Sequence, residues 1–201
     1  MRGLYLVTPN WDDTDRLLAA TGAGLRGGAV LVQYRHKEAG AAQRHEQAAA
    51  LLALCRRHRT PLVINDFLDL CLALDADGVH LGGADGDLAH ARQVLGAGKI
   101  VGASCYGDLG LAAAAEHAGA SYVAFGGFYP SPVKKYDFVT KPALLDAARA
   151  AVALPQVVIG GMTPSNAVPL VARGADMVAA ITSVYGADDP EAAARAFAAL
   201  F

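Results

Sequence analysis

The chain repeats one pattern eight times, a short apolar run followed by a segment of helical character, and no other feature constrains its fold as strongly. The runs that we expect to be strands cover residues 4–8, 31–37, 61–66, 77–81, 99–104, 122–126, 156–161 and 177–182. Parallel strands that are covered on both faces have such continuous apolar sequences. Eight strand–helix units predict an α/β fold of the closed (β/α)8 barrel type. An open doubly wound sheet is the alternative, but no G-x-G-x-x-G motif opens the first helix.

Length and composition indicate one domain that spans residues 1–201, since no linker or change in composition divides the chain. The net charge of −2 gives no reason to expect nucleic acid or a membrane surface as a partner. No apolar span is long enough to cross a bilayer, and the three cysteines form no C-x-x-C pair. We therefore expect a cytoplasmic protein that acts on small-molecule substrates, with a homo-oligomer left open.

The second apolar run has the most distinctive polar side chains. As a strand, it points Gln33, Arg35 and Lys37 to one face. The opposite face carries Val32, Tyr34 and His36. Three long polar groups that converge at a strand end suit an anion with several oxygens, which an arginine can hold bidentately. The alternative is an edge strand with a solvated charged face, because lysine and arginine are mostly surface residues.

Further polar residues follow the carboxyl ends of other expected strands. They are Asn65 and Asp66 at the end of strand three, Asp85 after strand four, Ser104 at the end of strand five, Lys134 and Lys135 after strand six, and the Gly160-Gly161 pair at the end of strand seven. Active residues of (β/α)8 barrels lie at this end of the strands and in the loops that follow. Their shared placement predicts a functional site at this rim.

Asp66 and Asp85 are candidates for binding a hard divalent cation. Mg²⁺ dehydrates reluctantly and is commonly held by one or two carboxylates together with phosphate oxygens and water. The alternative is that each aspartate caps the helix that it precedes. Because both fall at the same rim, we favour the cation site and expect Mg²⁺ as the cofactor.

A glycine pair and the end of the last strand indicate a phosphate site. The Gly160-Gly161 turn leads into a helix, and strand eight ends at Ile181-Thr182. The loops after strands seven and eight form the phosphate site of many barrels, and backbone N–H groups at a helix start can bind phosphate. A tight strand-to-helix turn would use two glycines equally well, so this alternative stays open.

Several aromatic and imidazole side chains are expected in the core rather than in the site. His80 lies inside an apolar run, so we expect it to satisfy a hydrogen bond there rather than to act as a base. We expect Tyr5, Tyr122 and Phe125 to be core residues as well.

Seven short segments, taken in order, form a family pattern. They are residues 3–8 (GLYLVT), 32–37 (VQYRHK), 64–66 (IND), 76–82 (ADGVHLG), 102–104 (GAS), 130–134 (PSPVK) and 159–161 (IGG). Together they resemble the thiamine phosphate synthase family over essentially the whole chain. This family joins 4-amino-2-methyl-5-(diphosphomethyl)pyrimidine to 4-methyl-5-(2-phosphoethyl)thiazole and releases diphosphate. The resemblance therefore implies a Mg²⁺-dependent transferase of thiamine biosynthesis.

The resemblance also implies a role for each matching residue. The pyrimidine diphosphate positions are Gln33, Tyr34, Arg35, His36, Lys37, Asn65, Ser104 and Lys134; the Mg²⁺ ligands are Asp66 and Asp85; and the thiazole phosphate positions are Ser131, Pro132, Val133, Gly160, Gly161, Ile181 and Thr182. The implied catalytic residues are Arg35, Lys37, Ser104 and Lys134. Cations would neutralise the charge that grows on the diphosphate as the C–O bond breaks. Because an aminopyrimidine can stabilise a carbocation, the attacking thiazole nitrogen needs no general base.

Four positions depart from the family pattern, namely Ser131, Val133, Thr182 and Gly83. The loop that usually reads Thr-x-Thr-Lys is 131–134 (SPVK) here, and Val133 has no hydroxyl, so a phosphate contact there must come from backbone N–H. Thr182 replaces the usual serine and keeps the hydroxyl, whereas Gly83 replaces a common glutamine. These differences concern the affinity for thiazole phosphate more than the diphosphate chemistry.

Two other functions are weighed against the synthase. The related thiazole tautomerase, an isomerase, relies on a histidine just after strand six, where this chain has Gly127. A catalytically idle barrel that only binds a thiazole phosphate would not need the metal site and the three cations Arg35, Lys37 and Lys134 together. Both comparisons favour the synthase.

Overall fold

A computed structural model describes residues 1–83, 86–131 and 137–201, and it confirms the closed barrel. Each strand is parallel to the next, and the last strand pairs with the first, so that Tyr5 lies opposite Ala179. Asp85 and, in the loop after strand six, Pro132, Val133, Lys134 and Lys135 lie outside the described residues. The predictions for these residues therefore stay predictions.

The strands and helices alternate along the chain. The strands are β1 (Gly3–Val7), β2 (Ala29–Tyr34), β3 (Leu62–Asn65), β4 (Gly78–Gly82), β5 (Ile100–Tyr106), β6 (Tyr122–Phe125), β7 (Gln156–Val158) and β8 (Met177–Ala180). The helices are α1 (Thr14–Arg26), α2 (Ala41–His58), α3 (Leu68–Leu74), α4 (Leu88–Leu95), α5 (Leu109–His117), α6 (Leu144–Ala151), α7 (Pro164–Ala172), α8 (Thr182–Tyr185) and α9 (Pro190–Ala198).

Side-chain caps explain where several helices begin. Asp13, Asp87, Asp108 and Asp189 each accept a hydrogen bond from a backbone N–H in the first turn of α1, α4, α5 and α9. A carboxylate at this position satisfies donors that have no partner inside the helix. Thr163 caps α7 in a reciprocal capping box. These local signals fix where five of the described helices begin.

The strands pack on both faces, which separates two apolar layers. In β1, Leu4 and Leu6 pack outwards against the helices, whereas Tyr5 and Val7 face the barrel interior. This alternation follows from the two-residue period of a strand. The interior layer is completed by Leu31, Val63, Tyr122, Ala124, Val157, Met177 and Ala179. Among the described residues, no helix is both long enough and apolar enough to span a membrane.

Three strands end at least two residues earlier than the sequence predicts. β2 ends at Tyr34 rather than at residue 37, because the Thr8 side chain takes over the hydrogen bonds of Arg35: its Oγ1 accepts from the Arg35 N–H (2.7 Å) and donates to the Arg35 carbonyl (3.0 Å). β7 ends at Val158, before Gly160 turns the chain with a φ of 113°. β8 ends at Ala180, because Thr182 already begins α8. The predicted site residues therefore lie beyond the ends of these strands, in the loops that follow or, for Thr182, in the first turn of α8.

Candidate functional site

A cavity opens at the carboxyl end of the barrel, and every strand or the loop after it contributes to its wall. The structure brings together here nine of the residues singled out in the sequence: Gln33, Arg35, Asn65, Ser104, Ser131, Gly160, Gly161, Ile181 and Thr182. Parallel strands of a closed barrel all end on one side, so residues far apart in the chain meet there. We call this space the mouth cavity.

Five polar side chains, four of which line the mouth cavity, form one hydrogen-bonded series across the barrel. Gln33 Nε2 donates to the Tyr5 hydroxyl (2.6 Å), and the hydroxyls of Tyr5 and Tyr122 lie 2.7 Å apart. His80 joins the series through Nδ1, 2.8 Å from the Tyr122 hydroxyl, and through Nε2, 2.9 Å from Ser104 Oγ. We call this series of five hydrogen-bonded side chains the buried chain. Both of its ends, Gln33 and Ser104, line the mouth cavity.

Close packing holds the buried chain in place. The rings of His80 and Tyr122 are stacked with an interplanar angle of 15°, and Tyr5 meets Tyr122 edge-on. A Cβ at Gly102 would overlap the Tyr122 ring, so only glycine leaves room for this contact. Burial raises the pKa of the Tyr5 and Tyr122 phenols well above their usual value. Both phenols therefore stay neutral and keep their single proton.

Arg35 is fixed by the first loop of the barrel. Its backbone is clamped by the Thr8 side chain, and its Nη1 lies 3.4 Å from Asn10 Oδ1. Arg35 lines the mouth cavity, as the strand alternation predicts, although it lies just beyond β2. A guanidinium presents a planar set of donors that suits phosphate oxygens.

A second polar cluster lies at the rim beside the cavity. Asp66 Oδ2 accepts a hydrogen bond from Asn65 Nδ2 (2.6 Å) and pairs with Lys37 Nζ (3.0 Å). Asp66 has a left-handed φ of 64°, and α3 begins at Leu68 with Phe67 as its N-cap residue. Asp66 therefore does not cap this helix, contrary to the alternative considered for it. Its backbone geometry instead turns the carboxylate towards Lys37.

Tyr34 and His36 point away from the mouth cavity, on the face that strand alternation assigns to them. The Tyr34 hydroxyl donates to Gln47 Oε1 (3.0 Å) on α2. His36 accepts at Nδ1 from the Ala39 N–H (3.1 Å), and its Nε2 lies 3.2 Å from Asp12 Oδ1. Neither side chain is among the described residues that line the cavity. Both anchor the β2 loop and so hold Arg35 and Lys37 at the rim.

The glycine pair joins two loops of the site. Gly161 has a φ of 59°, and a Cβ there would overlap the Pro130 carbonyl oxygen, so the turn needs glycine for both reasons. Asn166 Nδ2 also donates to the Gly161 carbonyl (2.9 Å), which ties this turn to α7. This close approach brings Ser131 and the glycine pair to the same wall of the cavity. They follow β6 and β7, which lie across the barrel from β2, the strand that Arg35 follows.

The structure adds residues to the cavity wall that the sequence did not place in the site, among them Tyr5, His80 and Tyr106. Tyr5 and His80, expected as core residues, are buried and hydrogen-bonded, but they also line the mouth cavity. Tyr106, with a left-handed φ of 53°, lines it as well, and its hydroxyl occupies the space where a side chain at Gly83 would begin. A signal for the first two exists in the sequence, because inward-facing strand positions hold polar groups in an otherwise apolar barrel.

Comparisons with known proteins agree with one another. The family model described as thiamine monophosphate synthase matches residues 4–184. A thiamine-phosphate synthase of Janthinobacterium sp. (strain Marseille) is 61% identical over 201 residues, which covers 100% of this chain and 97% of that protein. One of Thiobacillus denitrificans is 50% identical and covers 99% of this chain and 94% of that protein. The solved structure of a thiamine phosphate pyrophosphorylase from Pyrococcus furiosus has a TM-score of 0.86 and 31% identity, covering 98% of this chain and 94% of that one.

Proposed function

Because the chain belongs to the thiamine monophosphate synthase family, we propose that the mouth cavity is where it makes thiamine phosphate. The protein is a thiamine-phosphate synthase, a transferase that acts on small-molecule substrates. Its reaction joins the aminopyrimidine diphosphate to the thiazole phosphate and releases diphosphate. One observation supports the location most directly: Gln33, Arg35, Ser104 and the glycine pair meet in one cavity at the carboxyl end of the barrel.

Opposite parts of the cavity wall suit the two substrates. Arg35 and Asn65 supply donors and positive charge on one side, with Lys37 at the rim beside them, and we place the diphosphate there. Lys134 is proposed for the same group from its place in the sequence. On the other side, Ser131, Gly161 and Thr182 are proposed to bind the thiazole phosphate, together with Pro132, Val133, Gly160 and Ile181.

Stabilisation of the departing diphosphate is the main task of these residues. As the C–O bond breaks, negative charge grows on the diphosphate, and the Arg35 guanidinium and the Lys37 ammonium hold it in place. The electron pair of the thiazole nitrogen then forms the new C–N bond at the pyrimidine methylene carbon. The nitrogen carries no proton, so no base has to remove one. Consistent with this, both nitrogens of His80, which lines the cavity, are engaged in hydrogen bonds.

The donor set at the rim suits Mg²⁺. Asp66 uses Oδ2 for Asn65 and Lys37, and among the described residues its Oδ1 accepts no hydrogen bond. One open carboxylate oxygen beside a diphosphate site is what Mg²⁺ needs, since it shares its ligands between protein, phosphate and water. We propose that Asp66 and Asp85 hold the ion. When bound, it would neutralise diphosphate charge in the same way as the cations.

Neither alternative function is supported by the comparisons. The family model and the relatives described above are named as synthases, not as tautomerases, and Gly127 occupies the position where the tautomerase has its histidine. The single domain over residues 1–201 and the cytoplasmic location remain predictions from the sequence.

Diphosphate release tests the proposed function. The purified protein is mixed with the pyrimidine diphosphate, the thiazole phosphate and Mg²⁺, and both diphosphate and thiamine phosphate are quantified. We expect the two products in equal amounts, no release when the thiazole phosphate is omitted, and loss of turnover in EDTA that added Mg²⁺ restores. A folded protein that releases no diphosphate would contradict the activity, and full turnover in EDTA would contradict the metal.

A further inference from the structure

The buried chain runs from one wall of the mouth cavity to another, and its three middle members have no role in the reaction described above. We propose that Tyr5, Tyr122 and His80 form a positioning unit that forces Gln33 and Ser104 to present opposite hydrogen-bonding characters to the substrate. This pair would then select an aminopyrimidine ring. The inference rests on the proposed function, because it names how that site recognises the pyrimidine.

When the imidazole is neutral and both buried phenol protons are hydrogen-bonded within the buried chain, its hydrogen bonds have only two arrangements. Each phenol has one proton, and their raised pKa values keep both hydroxyls neutral. With Gln33 Nε2 donating to Tyr5, the Tyr5 hydroxyl donates to Tyr122, and Tyr122 donates to His80 Nδ1. His80 then carries its proton on Nε2 and donates to Ser104 Oγ.

The ends of the buried chain are set by this order. The Gln33 amide, held through its nitrogen, offers its carbonyl oxygen as an acceptor. Ser104, which already accepts from His80, offers its own proton as a donor. Reversing every bond exchanges these two roles but keeps them opposite. In each arrangement, an acceptor at one end therefore stands opposite a donor at the other, and a further Nε2–H of Gln33 remains available as a donor.

An aminopyrimidine matches this pair. Its exocyclic amino group donates and its neighbouring ring nitrogen accepts, so both groups are satisfied together in either arrangement. A ring without the amino group leaves one end of the buried chain without a partner. A buried polar group that loses its partner costs more than the bond contributes, which is how such sites reject analogues.

The packing around the series indicates that the hydroxyl contacts are built into the fold. Gly102 leaves the room that the Tyr122 ring and His80 Nδ1 occupy, and even an alanine there would overlap them. Tyr5, Tyr122 and His80 lie on β1, β6 and β4, so the closed barrel is required to bring them together. The aromatic rings alone would fill the interior. The link from Gln33 to Ser104, however, needs the hydroxyls of Tyr5 and Tyr122 and the two ring nitrogens of His80.

Selectivity in binding tests the inference without relying on turnover. The probes are two pyrimidines, with and without the 4-amino group, in which the CH₂–O bond to the diphosphate is replaced by CH₂–CH₂ so that neither can react. Calorimetry measures the Kd value of each probe for the full-length protein in the presence of Mg²⁺. We expect the wild type to prefer the amino compound, and Tyr122→Phe and Tyr5→Phe to lower this preference by roughly 3- to 10-fold, the effect of one hydrogen bond.

Tyr185→Phe is the matched control, because the Tyr185 hydroxyl is also buried and bonds the Thr21 side chain (3.0 Å) outside the mouth cavity. It should keep the wild-type preference, and thermal melting should show all variants folded. The inference is overturned if Tyr122→Phe and Tyr5→Phe retain the full preference, if they weaken both probes equally, or if the wild type has no preference. A wild type that binds neither probe would instead overturn the proposed location of the pyrimidine site.

Discussion

The two ends of the barrel have similar polar side chains but use them differently. At the amino end, Asp77 Oδ2 accepts from the Leu62 N–H (2.8 Å) and Asp176 Oδ2 accepts from the Gln156 N–H (2.9 Å). At the carboxyl end, Gln33 and Ser104 bond other side chains and line a cavity. Polar groups at the amino end satisfy the backbone of the first strand residues and so close the barrel. Those at the carboxyl end surround the mouth cavity. In barrels of this type, the residues that stabilise the fold and the residues of the functional site therefore lie at opposite ends.

Two aspartates show this difference within one type of residue. Asp66 and Asp75 both have a left-handed φ, 64° and 51°, and each pairs with a lysine. Asp75, at the amino end, is 79% exposed, and its partner Lys99 also donates to backbone carbonyls there. Asp66, at the carboxyl end, is 13% exposed and stands beside the cavity. The same local geometry therefore serves a solvated ion pair at one end and a candidate metal site at the other.

Two arginines should give the largest contrast between the ends. We expect Arg35→Ala to lower kcat on the order of 10²- to 10³-fold, because a cation is lost where diphosphate charge grows, with little change in stability. Arg92, at the amino end, donates to the carbonyls of residues 96, 99 and 119 and to Ser121 Oγ. Arg92→Ala should lower the free energy of unfolding by about 2 kcal/mol and leave kcat near the wild-type value.

Steady-state kinetics and urea unfolding of both variants test this contrast. A loss of kcat below about fivefold for Arg35→Ala, against the much larger effect of removing a preorganised donor, would remove Arg35 from the mechanism. A comparable loss of kcat in Arg92→Ala would show that the two ends are not separate.

The aspartates should differ in their effect on the metal. We expect Asp66→Asn to weaken the apparent Mg²⁺ affinity by on the order of 10- to 100-fold, because a neutral amide replaces an anionic ligand. Asp75→Asn, with the same backbone geometry and a similar lysine partner, should not change it. Titration of turnover with Mg²⁺ measures both. Equal Mg²⁺ dependence in the two variants would contradict the role of Asp66.

Two glycines separate backbone strain from the shape of the site. Gly161 and Gly96 both have a positive φ, 59° and 72°, but only Gly161 has backbone against the position of a Cβ. Alanine should therefore cost about 1–3 kcal/mol of stability at Gly96 through strain alone. Gly161→Ala should cost at least as much and also raise the KM for thiazole phosphate. If the KM is unchanged in a folded Gly161→Ala variant, the glycine turn does not contact that substrate.

The smallest expected effect is the acid dependence of the amino-end ion pair. Lys99 beside Asp75 lowers the pKa of that carboxyl in the folded protein. The pair therefore stabilises the fold at a pH above the unfolded pKa of the aspartate, and this contribution is lost as the pH falls through the folded pKa. Asp75→Asn should remove the contribution, so its stability difference from the wild type should shrink in acid. Urea unfolding at several pH values measures this, and a difference that grows in acid would contradict it.

Much of the site could be predicted because a closed barrel converts chain order into position. Once eight strand–helix units are recognised, Gln33, Ser104 and Gly161 must all lie near the same rim, whatever their separation in the chain. Strand ends were harder to predict. The end of β2 depends on the Thr8 side chain, which directly follows the neighbouring strand β1 and replaces the ladder hydrogen bonds of Arg35. A contact of this kind leaves no periodic signal in the segment that it changes.

The sequence by itself determined the barrel, the end at which its site lies, and nine of the residues that line it, because strand periodicity and chain order follow from local patterns. Only the tertiary structure decided that Tyr5, Tyr122 and His80 link Gln33 to Ser104, and that Asp66 faces Lys37 instead of capping α3. The physical reason is that hydrogen bonds need atoms within about 3 Å of each other. Periodicity assigns a side chain to a face of a strand, whereas only closure of the sheet brings the inward faces of distant strands into that range.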